Sequence, residues 1–253
     1  MSKVVVLVAT HKRYRMPDSP MYLPVQVGAE GKVDLGYVKD NTDDNISTKN
    51  PNFCELTGLY WMWKNVQADY VGLVHYRRHF AAKNSKDKWM RIADEHDIMA
   101  LLTEANAILP RKRNYYIETT YEQYAHAHHA VDLDMTRSIL AENYPEYVET
   151  FDSCMRRTDG HKFNMFIMKR DIADAYCEWL FSVLFELEKR LDISSYSQND
   201  SRVFGFVAER LLDVWVETNH ITYKEMPVVF MEEQNWFVKG GDFLKRKFTN
   251  RLI

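Results

Sequence analysis

The chain lacks the features that mark the most easily recognised protein classes. It holds three cysteines in 253 residues, Cys54, Cys154 and Cys177, all widely spaced. No CxxC pair exists, which argues against a zinc site and a disulfide scaffold; unpaired thiols fit a reducing cytoplasm. No apolar run approaches the roughly 20 residues that cross a bilayer. The N-terminal run Val4–Ala9 has six residues, too few for the core of a signal peptide. Any membrane link is therefore expected to be peripheral. The formal charge is −3 and the isoelectric point about 6.3, so no nucleic-acid partner is expected. G-x-G-x-x-G, Walker A, G-x-S-x-G, H-E-x-x-H and the EF-hand loop pattern are absent. P-loop kinases, NTPases and nucleophile-elbow hydrolases are left without support.

What is present is an ordinary globular composition, 46% apolar and 27% charged, with 13 Phe, 15 Tyr and 6 Trp. Those rings exclude intrinsic disorder. They build cores first, and they also suit pockets that stack bases and sugar faces. A chain of this size buries about 70–75% of its unfolded surface. It is expected to form one α/β domain over residues 1–238, followed by a tail at 239–253.

Val4–Ala9 is a β-branched run followed by Thr10, His11 and Lys12. It predicts a strand buried on both faces, in a mostly parallel sheet flanked by helices. Ligands bind at the carboxyl ends of such strands, where Thr10, His11 and Lys12 stand. Residues 13–52 are polar and loop-rich, with one short strand expected in Met21–Ala29 and a loop at Asp40–Ser47. Asn52, with Glu55 three residues on, predicts a capped helix over Phe53–Asn65. Further helices are expected over Trp89–Glu104, Thr120–Ala130, Met135–Asn143, Asp171–Arg190 and Ser201–Val216. Further strands are expected at Val71–Val74, Ala107–Pro110, His161–Met168 and Thr222–Met231.

The strand Val71–Val74 runs directly into His75, Tyr76, Arg77 and Arg78. Arginines keep their charge and offer planar forks suited to phosphate oxygens. Leaving an apolar strand, they need a partner, either a ligand diphosphate or a structural carboxylate such as Glu55. The Asp40–Ser47 loop, with Asn41 and Asn45, offers groups for sugar hydroxyls, a base or a metal, or it is simply solvated. His161 and Asn164 stand at a strand entry, where a histidine can orient a hydroxyl or act as a base. Asp200 and Glu209 are carboxylates able to take a proton from an acceptor, although Glu209 also adjoins Arg210. His126, His129 and Asp132 allow a metal reading. Asp132-Leu133-Asp134 has the DxD spacing of nucleotide-sugar enzymes, yet follows no apolar strand. The segment Lys239–Ile253 holds five bases and one acid, a net +4, interleaved with Phe and Leu. Such an end suits an anionic membrane surface or a solvated terminal helix.

Together, Val4–Lys12, Asp40–Ser47, the stretch ELTGLYWMWKN at 55–65 and HYRRHF at 75–80 resemble the bacterial DUF4422 family. Its members occur with capsule, exopolysaccharide and O-antigen enzymes and are regarded as glycosyltransferases. The resemblance spans residues 3–235. It implies a GT-A-like fold and sugar transfer from a nucleotide sugar to a glycan or lipid-linked acceptor. Some members are associated with UDP-galactofuranose. GT-A enzymes usually place DxD after a strand and hold Mg²⁺ or Mn²⁺ there. Here His75-Tyr76-Arg77-Arg78 takes that place, and cations can stabilise a departing diphosphate as a metal would.

The expectation is thus a cytoplasmic, membrane-peripheral glycosyltransferase. Thr10, His11, Lys12, the loop residues Asp40, Asn41, Asn45 and Ser47, then His75, Tyr76, Arg77, Arg78 and Asn164 would bind the donor. Asp200, Glu209 or His161 would serve the acceptor. No metal ligand is assigned. The rivals are a non-catalytic nucleotide or sugar binder and a metal-dependent hydrolase built on His126, His129 and Asp132.

Overall fold

The computed structural model describes residues 3–232; the basic tail at 239–253 lies outside the described residues. The architecture is α/β and a single domain. Strands β1 (Val4–Thr10), β2 (Tyr22–Gln26), β3 (Val38–Lys39), β4 (Tyr70–His75), β5 (Arg78–Phe80) and β6 (Ala107–Pro110) come from the first half. A small pair, β7 (Arg113–Asn114) and β8 (Asp159–Gly160), stands apart, and β9 (Phe166–Lys169), β10 (Tyr223–Met226) and β11 (Val228–Phe230) complete the set. The main sheet runs β10-β6-β9-β4-β1-β2-β3. All its neighbours pair in parallel except β9, which is antiparallel to both β4 and β6.

That topology sets the location of the site. The carboxyl ends of β1, β2, β3, β4, β6 and β10 share one edge of the sheet. Because β9 is reversed, the residues leading into it, 161–165, arrive at the same edge. β1 is buried at all seven positions, as its unbroken apolar run requires between two helical layers.

The helices are α1 (Asn50–Phe53), α2 (Leu56–Asn65), α3 (Glu95–Leu102), α4 (Thr120–Ala127), α5 (Ala130–Asn143), α6 (Val148–Arg156), α7 (Arg170–Arg190) and α8 (Val203–Thr218). One core joins the sheet to α2, α7 and α8; a second, on the other face, includes Val6, Val8, Phe80, Ile98 and Ile167. Among the described residues no helix is long and apolar enough to cross a membrane.

Several elements differ from the sequence expectation. The helix expected over Phe53–Asn65 is two helices, broken at Cys54, whose backbone is left-handed at φ +52°. Glu55 makes no cap hydrogen bond there. The strand expected at His161–Met168 begins only at Phe166, because Phe163 (φ +78°) and Asn164 (φ +53°) are left-handed. Pro227 divides the late strand into β10 and β11, which pair with different partners. The helix α6 has no counterpart in the sequence expectation, although Val148, Phe151 and Met155 follow helical spacing.

Candidate functional site at the carboxyl edge of the sheet

Two strand ends form the floor. At the end of β1, Thr10 Oγ1 donates to the Lys12 carbonyl at 2.6 Å, turning the chain so that His11 and Lys12 are exposed. At the end of β4 the chain does not run on into a loop. It reverses at Tyr76-Arg77 into β5, with His75 facing Arg78 across the hairpin. β5 then pairs with β11, and Met231 N donates to the Arg77 carbonyl at 3.0 Å. Arg77 therefore stands at a tip and Arg78 at the start of a returning strand, both half-buried.

The cations gather around one place. Desolvation, then the charges of Lys12, Arg77, Lys32 and Arg202, hold the His11 imidazole below its ordinary value. Its ring meets the buried Tyr76 edge-on at 5.3 Å. Lys12 Nζ lies 5.0 Å from the centre of the Tyr76 ring. Arg78 stacks on Phe163 at 4.5 Å, and its Nε is buried without a hydrogen-bond partner among the described residues. A positive surface built around an orphaned guanidinium donor suits an anion.

Beside the cations stand two carboxylates. Glu55 Oε1 accepts from Asn164 Nδ2 at 2.7 Å and lies 3.9 Å from His75 Nε2. Among the described residues no donor meets its Oε2. Asn164 is itself buried and also donates to the Gly205 carbonyl at 3.1 Å. His75 Nε2 donates to the Phe163 carbonyl at 2.7 Å. Burial lowers its pKa, against the opposing pull of Glu55. Glu209 Oε1 accepts from Phe163 N at 3.2 Å, and its Oε2 from Arg210 at 3.0 Å. Arg202 Nε donates to Cys54 Sγ at 3.2 Å. Burial and Glu55 push that thiol up to about 11, so Cys54 stays neutral. Three left-handed residues, Cys54, Phe163 and Asn164, meet in this small region. Such strain persists where the surroundings over-determine it, often at functional sites.

Other expected site residues lie elsewhere in the chemistry. Asp40 is fully buried, and its two oxygens accept from Gly28 N, Ala29 N, Ser47 Oγ and Thr57 Oγ1. It ties the long loop to α2 and has no lone pair left for a donor. Ser47 belongs to the same knot. Gly28 is required there: its φ is +59°, and a Cβ would sit 2.3 Å from Asn50. Asn41 donates to Glu30, and Asn45 closes a local turn with Asp43 and Ser47. Both stay on the loop's accessible side.

His161 is 1% exposed. Its Nδ1 pairs with Asp213 and its Nε2 faces Glu225 Oε1 at 3.2 Å. Neither nitrogen is left to take a proton from an acceptor. Asp200 pairs with His128 Nδ1 at 3.0 Å and accepts from Ser197, in a cluster separate from the Glu55–Glu209 pair. That cluster adjoins the site through Phe206, which stacks on His128 at 4.2 Å and takes Arg202 at 5.2 Å.

The metal reading on α4 and α5 does not assemble. His126 pairs with Glu118, His129 stacks on Tyr196, and buried Asp132 accepts from the Tyr124 and Tyr196 hydroxyls at 2.7 and 2.6 Å. Among the described residues only Asp94, His96 and Asp97 bring three such ligand atoms together, and there Asp94 and Asp97 cap α3 and hold Lys83. Nor does the strand end fit the divalent ion of the GT-A pattern. It presents Arg77 and Arg78 where that pattern places its carboxylates.

Arg202 and Glu232 are the site residues that sequence reasoning did not place, and Glu55, read there as a helix cap or a partner for the arginines, holds Asn164 instead. Glu232 accepts from Lys12 Nζ at 3.1 Å and from Arg77 Nη1 at 3.4 Å. No local pattern marks Arg202 or Glu232, because each acquires its neighbours from distant segments.

No curated protein matches the chain. A solved structure does: the WbbM bifunctional glycosyltransferase in its apo form is similar at 30% identity and a TM-score of 0.84. The likeness covers 91% of this chain and 46% of that one, so this chain spans about half the length of the protein it matches. The profile of DUF4422, described as a domain of unknown function, matches residues 5–220. The chain belongs to the DUF4422 family.

Proposed function

We propose that the protein is a glycosyltransferase. It moves a sugar from a nucleoside-diphosphate donor, UDP-linked and with UDP-galactofuranose as a candidate, to a glycan or lipid-linked glycan in bacterial surface polysaccharide synthesis. The observation that carries this reading is the meeting of Lys12, Arg77, Arg78 and Arg202 with a carboxylate that keeps one oxygen unpartnered, at the carboxyl edge of the sheet. Likeness to a bifunctional glycosyltransferase supports the class.

The chemistry follows from charge. As the glycosidic C–O bond breaks, negative charge grows on the diphosphate. Fixed cations stabilise that charge more than they stabilise the ground state. Glu55, held by Asn164 and beside His75, takes the proton of the acceptor hydroxyl. Glu209 fixes the strained Phe163 backbone that orients both His75 and Asn164. His11 and Tyr76 offer ring faces and edges to the donor. Arg77 and Arg78 do the electrostatic work usually given to a divalent ion.

A panel of nucleotide sugars, screened by thermal shift with and without Mn²⁺, tests this. A UDP-sugar should raise the melting temperature equally in both conditions, and Arg77→Ala with Arg78→Ala should abolish the shift. Unchanged donor binding in that double variant overturns the phosphate role. Donor binding without any turnover would favour a non-catalytic binder instead.

A further inference from the structure

The segment leaving β6 at this same edge reads Arg111-Lys112-Arg113-Asn114-Tyr115-Tyr116-Ile117, with three cations and no acid. It is held in shape. Arg113 and Asn114 pair with Gly160 and Asp159. Asn114 Oδ1 accepts from Tyr116 N at 2.6 Å, and Ile117 N donates to the Tyr115 carbonyl at 2.8 Å. Tyr116 takes a left-handed backbone at φ +63°. This turn sends neighbouring residues opposite ways. Tyr115 is half-buried, with Lys162 Nζ 5.1 Å from its ring centre. Tyr116 and Ile117 are 83% and 64% exposed, and Arg111 and Arg113 are exposed beside them.

Single exposed apolar residues need no explanation. Two in succession, on a turn fixed by its own hydrogen bonds and flanked by cations, do. We infer that this turn docks the protein on an anionic lipid bilayer, with Tyr116 and Ile117 entering the headgroup region and the exposed Arg111 meeting lipid phosphates. Amphipathic rings and snorkelling cations suit that interface, and juxtamembrane cations are attracted to an anionic leaflet. A protein partner fits less well, since a stable protein interface buries on the order of 1,000 Å² or more and this tip is seven residues long. One short tip gives reversible, salt-sensitive binding.

Its place in the fold also matters. Tyr115 carries Lys162 Nζ 5.1 Å from its ring centre, and Lys162 precedes Phe163, which Glu209 and His75 hold in the cleft. Docking through the tip therefore brings the cleft to the bilayer surface, where a lipid-linked acceptor would lie. That consequence rests on the glycosyltransferase reading; the docking itself does not.

The test uses the full chain in vesicle flotation, with phosphatidylcholine alone and with phosphatidylglycerol added. The intact protein should float only with the anionic vesicles, and less in high salt. Tyr116→Ser with Ile117→Ser, and separately Arg111→Gln, should each weaken binding, the double change by about tenfold. These side chains are exposed, so the melting temperature should not move. Retention of full vesicle binding by the double variant, or no binding by the intact protein, overturns the proposal. So does a concentration-dependent dimer that only the double variant loses, which would assign the tip to a second copy. Donor binding in solution should be unchanged in every variant. Vesicle binding without any nucleotide-sugar binding would uphold the docking site and defeat the glycosyltransferase reading.

Discussion

Asn164 donates its side-chain amide to Glu55 at 2.7 Å across 109 residues of chain, from a backbone held left-handed at φ +53°. Asparagine tolerates that conformation better than most residues. The bond fixes one oxygen of Glu55 and leaves the other open. In a region whose nearest charges are Arg78 and Arg202, an anchored carboxylate keeps its orientation without being neutralised by a full ion pair.

Glu55→Gln should therefore lower turnover by about 10²–10⁴-fold, the usual worth of a general base. Donor affinity should stay within about twofold, because Gln keeps the amide contact and removes only the basic oxygen. Steady-state kinetics with a separate measurement of donor binding checks this. Wild-type turnover in Glu55→Gln would move the proton acceptor to Glu209.

How much of this was legible in the sequence depends on the range of the contact. β1 and β4 could be read because strands buried on both faces need unbroken apolar runs. The strand end at His75–Arg78 could be read for the same reason: charge directly after such a run needs an explanation. The break at Cys54 could not. α8 passes close against it, where a Cβ on Gly205 would lie 3.3 Å from that of Cys54, and no local propensity reports that approach. Composition showed that the Asp40–Ser47 loop is polar. It could not show that Asp40 spends every lone pair inside the protein. The same limit explains His161, whose carboxylate neighbours Asp213 and Glu225 lie 52 and 64 residues away.

Asp40→Asn should destabilise the fold by about 2–4 kcal/mol. An amide nitrogen would replace one oxygen and confront donors that now bond to it, leaving buried N–H and O–H groups unmet. Urea unfolding checks this. A change below about 0.5 kcal/mol, in the range of an ordinary surface substitution, would remove Asp40 from the structural knot and return it to the list of donor ligands.

His79 gives the stability a pH dependence. It is fully buried, its Nδ1 has no partner among the described residues, and its Nε2 is 3.4 Å from the Tyr76 carbonyl. Burial pushes its pKa down to about 4, against an ordinary value near 6.5. The unfolded chain therefore takes up the proton first on acidification. This contribution is fully present above about pH 6.5 and is lost as pH falls toward 4, by at most about 3 kcal/mol. His79→Phe should flatten that part of the profile when the urea midpoints of both proteins are compared from pH 7 to pH 4. Parallel profiles would mean that His79 is not buried in its neutral form.

Glu232 poses the opposite question, because here a carboxylate already occupies the space between two proposed phosphate ligands. It receives Lys12 and Arg77 at 3.1 and 3.4 Å, and the hydrogen bond from Lys12 holds it below the ordinary carboxyl range. All three side chains are a third or more exposed, so water screens the pairs and they add little to stability. A diphosphate entering between Lys12 and Arg77 must displace that carboxylate, and the lost pairing subtracts from donor affinity. Glu232→Gln should then bind donor about two- to fivefold more tightly, with little change in melting temperature and a steeper loss of binding as salt is raised. Calorimetric titration of the two proteins with one UDP-sugar decides the matter. Weaker binding in Glu232→Gln would mean that the carboxylate holds the donor, through its sugar or ribose hydroxyls, and does not compete with its phosphates.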